Sequence, residues 1–277
     1  MKVFLAFLIL AATPLGAETG TKKESTKPKT TAAEKPKVAS STKTKATPEE
    51  KTSSTEKVAK GKEKKEAATE GQEAGKKSPH GRPALIATTD LLDFDTLPED
   101  RRELIEGAIT VARDSPWLPY KFGGSSPADG GFDCSGAMYF VMNKAGLKPP
   151  RTSSDQYLWL KKNNRLHEAP DVLLTLEHPF LSTLKPGDLL FWSGTYAPSD
   201  GRTTNITHVA IYLGREKKDK RPVMINATDG RSYRGKQANG YGVYDFYLPK
   251  EGSRSKFVGY GTPPGIAEIK GEPAASP

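Results

Sequence analysis

The sequence predicts an α+β domain in which helices come first and pack on an antiparallel sheet built by the second half. Three observations carry this. Apolar residues recur at helical spacing in 98–113 and again after Asp133. From Lys185 onward the pattern changes to short apolar runs and alternation. Helices followed by strands, without a strand between successive helices, is the segregated arrangement and not the βαβ one.

The ends of the chain read differently from its middle. Lys2 and the apolar run Val3–Ala12, followed by Leu15-Gly16-Ala17, predict a signal peptide over 1–17, too short for a stable membrane span. Residues 18–82 hold 17 Lys+Arg against 10 Glu and no aromatic residue, so a disordered tether is expected there. That tract and Lys2 hold nearly all of the formal net charge of +9, which leaves the remainder close to neutral. The high pI therefore says little about what the folded part binds, and no nucleic-acid module is recognisable. The domain is expected over 83–264, about the size of one core, with a flexible tail over 265–277 and a monomeric state.

Within the domain, Pro98 to Arg113 predicts a helix with acidic residues in its first turn and an inward stripe of Leu104, Ile105, Ala108, Ile109 and Ala112. Pro119 to Gly131 reads as loop. A second helix starts at Asp133-Cys134, carries Ala137, Met138, Val141 and Ala145, and ends at Gly146. A short third helix begins at Ser153 or Ser154. Residues 164–184 show no clear period and read as an insertion. Lys185-Pro-Gly-Asp is a turn that leads into strand Leu189–Trp192. A polar loop over 194–205 precedes strands at 207–213, 223–227, 241–247 and 256–260.

The single cysteine excludes a disulfide within the chain. Cys134 lies at a helix start, where free N–H groups and the macrodipole favour a thiolate. The Gly-rich loop before it admits a substrate backbone, and the Cys134 N–H faces a developing oxyanion. A thiol nucleophile also needs a base. His80 falls in the tether, and His167 and His178 in the stretch without a period. His208 opens the strand pattern His-Val-Ala-Ile-Tyr-Leu-Gly. If Leu213 pairs with Arg221, His208 stands opposite Asn226, whose amide could orient the imidazole. Cys, His and Asn in that order follow the papain-like division into nucleophile, base and orienter. No metal constellation and no cofactor motif is present in the pattern.

These segments resemble the NlpC-type cell-wall endopeptidases, a family of papain-like fold. The resemblance rests on Tyr120-Lys-Phe-Gly-Gly, Gly131-Phe-Asp-Cys-Ser-Gly, Pro150-Arg-Thr-Ser-Ser-Asp-Gln, Leu184-Lys-Pro-Gly-Asp-Leu-Leu-Phe-Trp and His208-Val-Ala-Ile-Tyr-Leu-Gly, and covers about 103–260. It implies an exported cysteine peptidase, secreted or periplasmic, that cuts peptidoglycan stem peptides between γ-linked D-glutamate and a diamino acid. It also implies that Tyr120 sits by the oxyanion, that Asp133 and Ser135 contact substrate, and that Arg151 is structural or faces substrate. The tether would be a solvated spacer or lie on anionic envelope polymers. The family most often has His where this chain has Asn226, and the stretches 157–183 and 194–205 are longer than the family pattern. Two other readings fit the same fold: a non-catalytic wall-binding protein, and an amidase or acyl transferase. The lipid-processing acyl transferases place His before Cys, the reverse of the order here.

Overall fold

The computed structural model describes residues 79–269 except Leu174. The expected signal peptide, the tether as far as residue 78 and the last eight residues of the tail lie outside the described residues. Among the described residues no helix is long and apolar enough to cross a membrane.

Helix α1 spans Glu99–Asp114 and opens with Glu99 and Asp100, whose charges suit its N-terminus. It buries Leu104, Ile105, Ala108, Ile109 and Val111. The loop that follows contains a two-residue hairpin, β1 (Ser125–Ser126) with β2 (Gly131–Phe132), around a 3-10 turn. Helix α2, Cys134–Lys144, buries Ala137, Met138, Val141 and Met142. Helix α3, Ser153–Lys162, is capped by Thr152, whose hydroxyl accepts from Asp155 N at 3.1 Å.

Six strands form one antiparallel sheet: β3 (Leu166–Glu168), β4 (Leu189–Ser193), β5 (Ile206–Arg215), β6 (Pro222–Tyr233), β7 (Lys236–Asp245) and β8 (Lys256–Gly261). Their order across the sheet is β3-β8-β4-β5-β6-β7. Leu189, Phe191, Val209, Ile211, Leu213, Val223, Ile225 and Ala227 pack against the three helices. Leu190, Trp192, Ala210, Tyr212, Met224, Tyr244, Phe257 and Tyr260 form a second cluster on the other face. That aromatic face explains the stretch 164–184, which sequence periodicity left unread. It supplies β3 and a 3-10 segment, Pro179–Thr183, and lays Leu173, Leu176, Phe180 and Leu181 over the second cluster. With both faces covered, β5 is buried from Ile206 to Gly214.

The hairpin register differs from the expected pairing of Leu213 with Arg221. The ladder pairs Ile211 with Ile225, Tyr212 with Met224, Gly214 with Val223 and Arg215 with Pro222. A bulge at Leu213 absorbs the odd residue, and Gly214 takes φ +101° beside it. The register is therefore shifted by two, and on a regular continuation Asn226 lies diagonal to His208 instead of directly opposite.

The outer strand β7 is not left bare. Asn239 N, Tyr241 N and Val243 N donate to the carbonyls of Gly81, Leu118 and Ala84 at 2.8, 2.8 and 3.0 Å. The chain is thus docked on the sheet two residues before the expected start at 83. His80 Nδ1 also meets Asp229 Oδ1 at 2.7 Å. At the other end Ile266 is buried, inside the stretch expected as tail.

Arg101, fully buried in the first turn of α1, joins three parts of the chain. Its Nη1 donates to Asp188 Oδ1 at 3.0 Å and to Pro186 O at 2.6 Å. Its Nε donates to Ala267 O at 2.8 Å and its Nη2 to Thr262 Oγ1 at 2.8 Å. Helix α1 is thereby fastened to the Lys185–Asp188 turn and to the C-terminal segment. Periodicity could not reveal this, because an arginine in a first turn reads as a solvated charge. Arg101→Met leaves Asp188 buried without its cation and should cost about 3–5 kcal/mol. Denaturant titration of the variant checks this, with a fall in thermal midpoint of roughly 10 °C.

Candidate active site

The site is assembled at the start of α2. Asp133 is the N-cap, and its Oδ1 accepts from Gly136 N at 2.6 Å, so Cys134 takes the first helical position. Asp133 is also tied to the preceding loop: its Oδ2 accepts from Gly123 N at 2.9 Å. Arg151 completes the knot. Its Nη1 donates to Asp133 Oδ1 at 3.0 Å and to Ser135 Oγ at 3.1 Å. Its Nη2 donates to Asp133 Oδ2 at 2.8 Å and to the Gly123 carbonyl at 2.9 Å. Close backbone approach makes glycine necessary here: a Cβ on Gly136 would stand 2.0 Å from the Gly124 carbonyl oxygen.

Tyr120, Asp133, Cys134, Ser135 and Arg151 line one cavity of about 250 Å³. Its far wall comes from the loop over 194–205, through Tyr196, Asp200 and Arg202. Arg202 holds that wall together. It donates to Asp200 Oδ1 and Oδ2 at 2.8 and 2.6 Å, to Tyr196 Oη at 2.6 Å and to the Ile206 carbonyl at 2.7 Å. The guanidinium keeps the Asp200 carboxyl down to about 2. Burial, and behind it the Cys134 charge, raises the Tyr196 phenol above its ordinary range, although Arg202 opposes this. The Phe122 ring stands edge-on to Tyr196 at 6.2 Å across the cavity. Tyr196, Asp200 and Arg202 have no signal in the sequence, since an aperiodic polar loop carries none.

Cys134 is buried to 6% exposure, and its Sγ lies 3.8 Å from the Thr207 carbonyl oxygen. Thr207 is the residue before His208, at a bulge where Trp192 pairs with His208 and Ser193 with Ile206. His208 lies in the sheet under Trp192, with ring centroids 5.5 Å apart, and is 2% exposed. Burial, and after it the charge of Arg231, holds the imidazole well below its usual pKa, so it is neutral. Arg231 lies over the Trp192 ring, 4.6 Å from its centroid.

Asn226 meets His208 despite the shifted register, with Nδ2 2.6 Å from Nε2. A diagonal neighbour across two strands is within reach of side chains of this length. In this orientation Asn226 Oδ1 is buried without a hydrogen-bond partner among the described residues. A half-turn of the amide about Cβ–Cγ lets Oδ1 accept from Nε2–H and leaves Nδ1 with its lone pair. The two orientations of one amide thus select the two tautomers of the imidazole. Of the other histidines, His167 stacks on Tyr260 at 5.0 Å and His178 caps a 3-10 turn by accepting from Phe180 N at 3.1 Å.

Residues 118–242 match the model of the NlpC/P60 family. The chain is 35% identical over 111 residues to the bifunctional muramidase/DL-endopeptidase CwlT of Bacillus subtilis, a match that covers 40% of this chain and 25% of that protein. It is 36% identical over 126 residues to the probable endopeptidase p60 of Listeria monocytogenes, covering 45% of this chain and 19% of the relative. Against the gamma-DL-glutamyl hydrolase of Bacillus subtilis it is 36% identical over 98 residues, 35% of this chain and 18% of the relative. The chain thus spans a quarter or less of the length of these relatives. Residues 118–242 of this chain are thus similar to the NlpC/P60 family, and the matched stretch includes the segments that hold Cys134 and His208.

Proposed function

We propose that this domain is an exported cysteine endopeptidase of peptidoglycan, with Cys134 as nucleophile, His208 as base and Asn226 as orienter. The observation that carries the reading is a cysteine at the first position of a capped helix, open to a cavity and 3.8 Å from the residue before a histidine that Asn226 holds. The bond is the one between γ-linked D-glutamate and a diamino acid. Two relatives, named as a DL-endopeptidase and a gamma-DL-glutamyl hydrolase, support that choice. Secretion or a place in the cell envelope follows from the substrate and from the signal peptide expected at 1–17.

The chemistry uses the groups as they stand. Burial keeps His208 neutral, so its imidazole has a lone pair with which to take a proton. As the carbonyl enters the cavity, Nδ1 takes the thiol proton and Sγ attacks the carbon. The oxyanion forms at the Cys134 N–H, at the positive end of α2, beside Tyr120. The C–N bond then breaks, and the imidazolium returns its proton to the leaving amine. A thioester remains, and water activated by the same imidazole hydrolyses it. Asn226, through Oδ1, holds Nε2–H and keeps the lone pair on Nδ1. Asp133 and Arg151 act as positioning residues for the loop and the helix start.

Digestion of purified sacculi with the wild type and with Cys134→Ala, followed by mass spectrometry, tests the reading. Only the wild type is expected to release peptides cut after D-glutamate; the same fragments from both would defeat it. Asn226→Ala frees the imidazole to rotate and should lower kcat about 10²-fold with little change in KM, whereas Asn226→His should recover most of the loss. The depressed His208 pKa also sets a sign for pH. A group whose folded pKa lies below its unfolded value binds fewer protons when folded, so stability is present above the unfolded pKa and declines as pH falls below about 6.5. Wild-type thermal midpoints should begin to fall there while His208→Gln stays flat, and the acid limb of kcat/KM should lie below pH 6.5.

A further inference from the structure

The Cys134 cavity shares Tyr196 with a second depression of about 370 Å³. Ser193, Gly194, Pro198, Asn205, Thr207, Arg254 and Lys256 complete its walls. Thr207 connects the two, since the same residue presents its carbonyl to Cys134 Sγ. The two depressions differ in charge. In the first, Asp133 neutralises Arg151 and Asp200 neutralises Arg202. In the second there is no acidic residue, and neither Arg254 nor Lys256 pairs with a described carboxylate. An anion therefore finds uncompensated positive charge only on the far side of Tyr196.

The backbone that carries these two side chains is held in place. Lys256 pairs with Ser193 across the β4–β8 ladder. Gly194 takes φ +69°, and a Cβ there would stand 2.3 Å from the Arg254 carbonyl oxygen, so the loop presses directly on the Arg254 backbone. We propose that Arg254 and Lys256 form a cationic subsite that receives a free carboxylate of the stem peptide, a proposal that rests on the stem-peptide reading above. The substrate's own chemistry supplies such a group next to the attacked bond. A γ-linked D-glutamyl residue leaves its α-carboxylate outside the main chain, and the diamino acid beyond it has its own carboxyl. Either one lies within a residue of the carbonyl that Cys134 attacks, and Tyr196 is the wall it passes.

The test uses the full chain with Cys134→Ala, so that peptide binds without turnover. Three synthetic L-alanyl-γ-D-glutamyl-diaminopimelate tripeptides are titrated calorimetrically: the free acid, the form amidated at the D-glutamyl α-carboxyl and the form amidated at the side-chain carboxyl of the diaminopimelate. One amide should bind about tenfold more weakly than the free acid, which identifies the carboxylate received. Arg254→Gln with Lys256→Gln, in the same background, should bind all three alike at the weaker level. Both substitutions are at exposed positions, and a thermal melt verifies that the fold is kept. Equal affinity for all three peptides in the Cys134→Ala chain, no binding of any, or a glutamine variant that still prefers the free acid, overturns the subsite. Sacculus digestion is a separate readout: a chain that binds the free acid preferentially but releases no fragments keeps the subsite and loses the endopeptidase assignment.

Discussion

The carboxylate of Asp133 is the contact on which the site depends. Its two oxygens accept from Gly136 N, Ser135 Oγ, Gly123 N and both terminal nitrogens of Arg151. One group therefore caps the helix, anchors the loop ahead of it and takes up the charge of an arginine from the segment before α3. Burying that charge is tolerable because every lone pair is used. The contact also sets where Cys134 stands. With Asp133 as N-cap, the N–H of the next residue stands at the positive end of the helix dipole. The resemblance to a known family implied a substrate contact for Asp133. The structure surrounds it with partners from the protein itself and also places it on the wall of the Cys134 cavity.

A second constraint works at the other half of the site. The imidazole is set into a sheet whose far face is aromatic, beneath Trp192 and near the charge of Arg231. Water is kept from the ring, and the neighbouring cation disfavours a second positive charge. An imidazole in such a place stays unprotonated over the range where an exposed one would titrate. The aperiodic stretch at 164–184 contributes indirectly, because it roofs the aromatic face and keeps it dry.

Much of this was legible in the sequence, for physical reasons that can be named. The helices were readable because their inward faces keep the 3.6-residue period, and Cys134 because a cap and a following apolar stripe mark a helix start. His208 and Asn226 were readable because alternation places both on the face shared by Ala210 and Met224. The route to their contact was not, since the register beyond the Leu213 bulge lies two residues from the expected pairing and only the length of the asparagine side chain keeps the pair together. Arg101 and the Arg202 loop escaped notice for a common reason. Their bonds run to carbonyls and carboxylates scattered along the chain, and no local pattern encodes a long-range polar contact.

The docking of Gly81 and Ala84 on β7 bears on how the protein keeps to itself. An outermost strand with bare amides is a template on which another chain can add itself, the first step toward aggregation. Here alternate amides of the rim, at 239, 241 and 243, are capped by carbonyls from residues 81, 118 and 84. The incoming segment thus serves as a selvedge that stops the weave. Trimming the protein to begin after Ala84 would strip two of the three stitches and leave a domain that sticks to its own copies when concentrated.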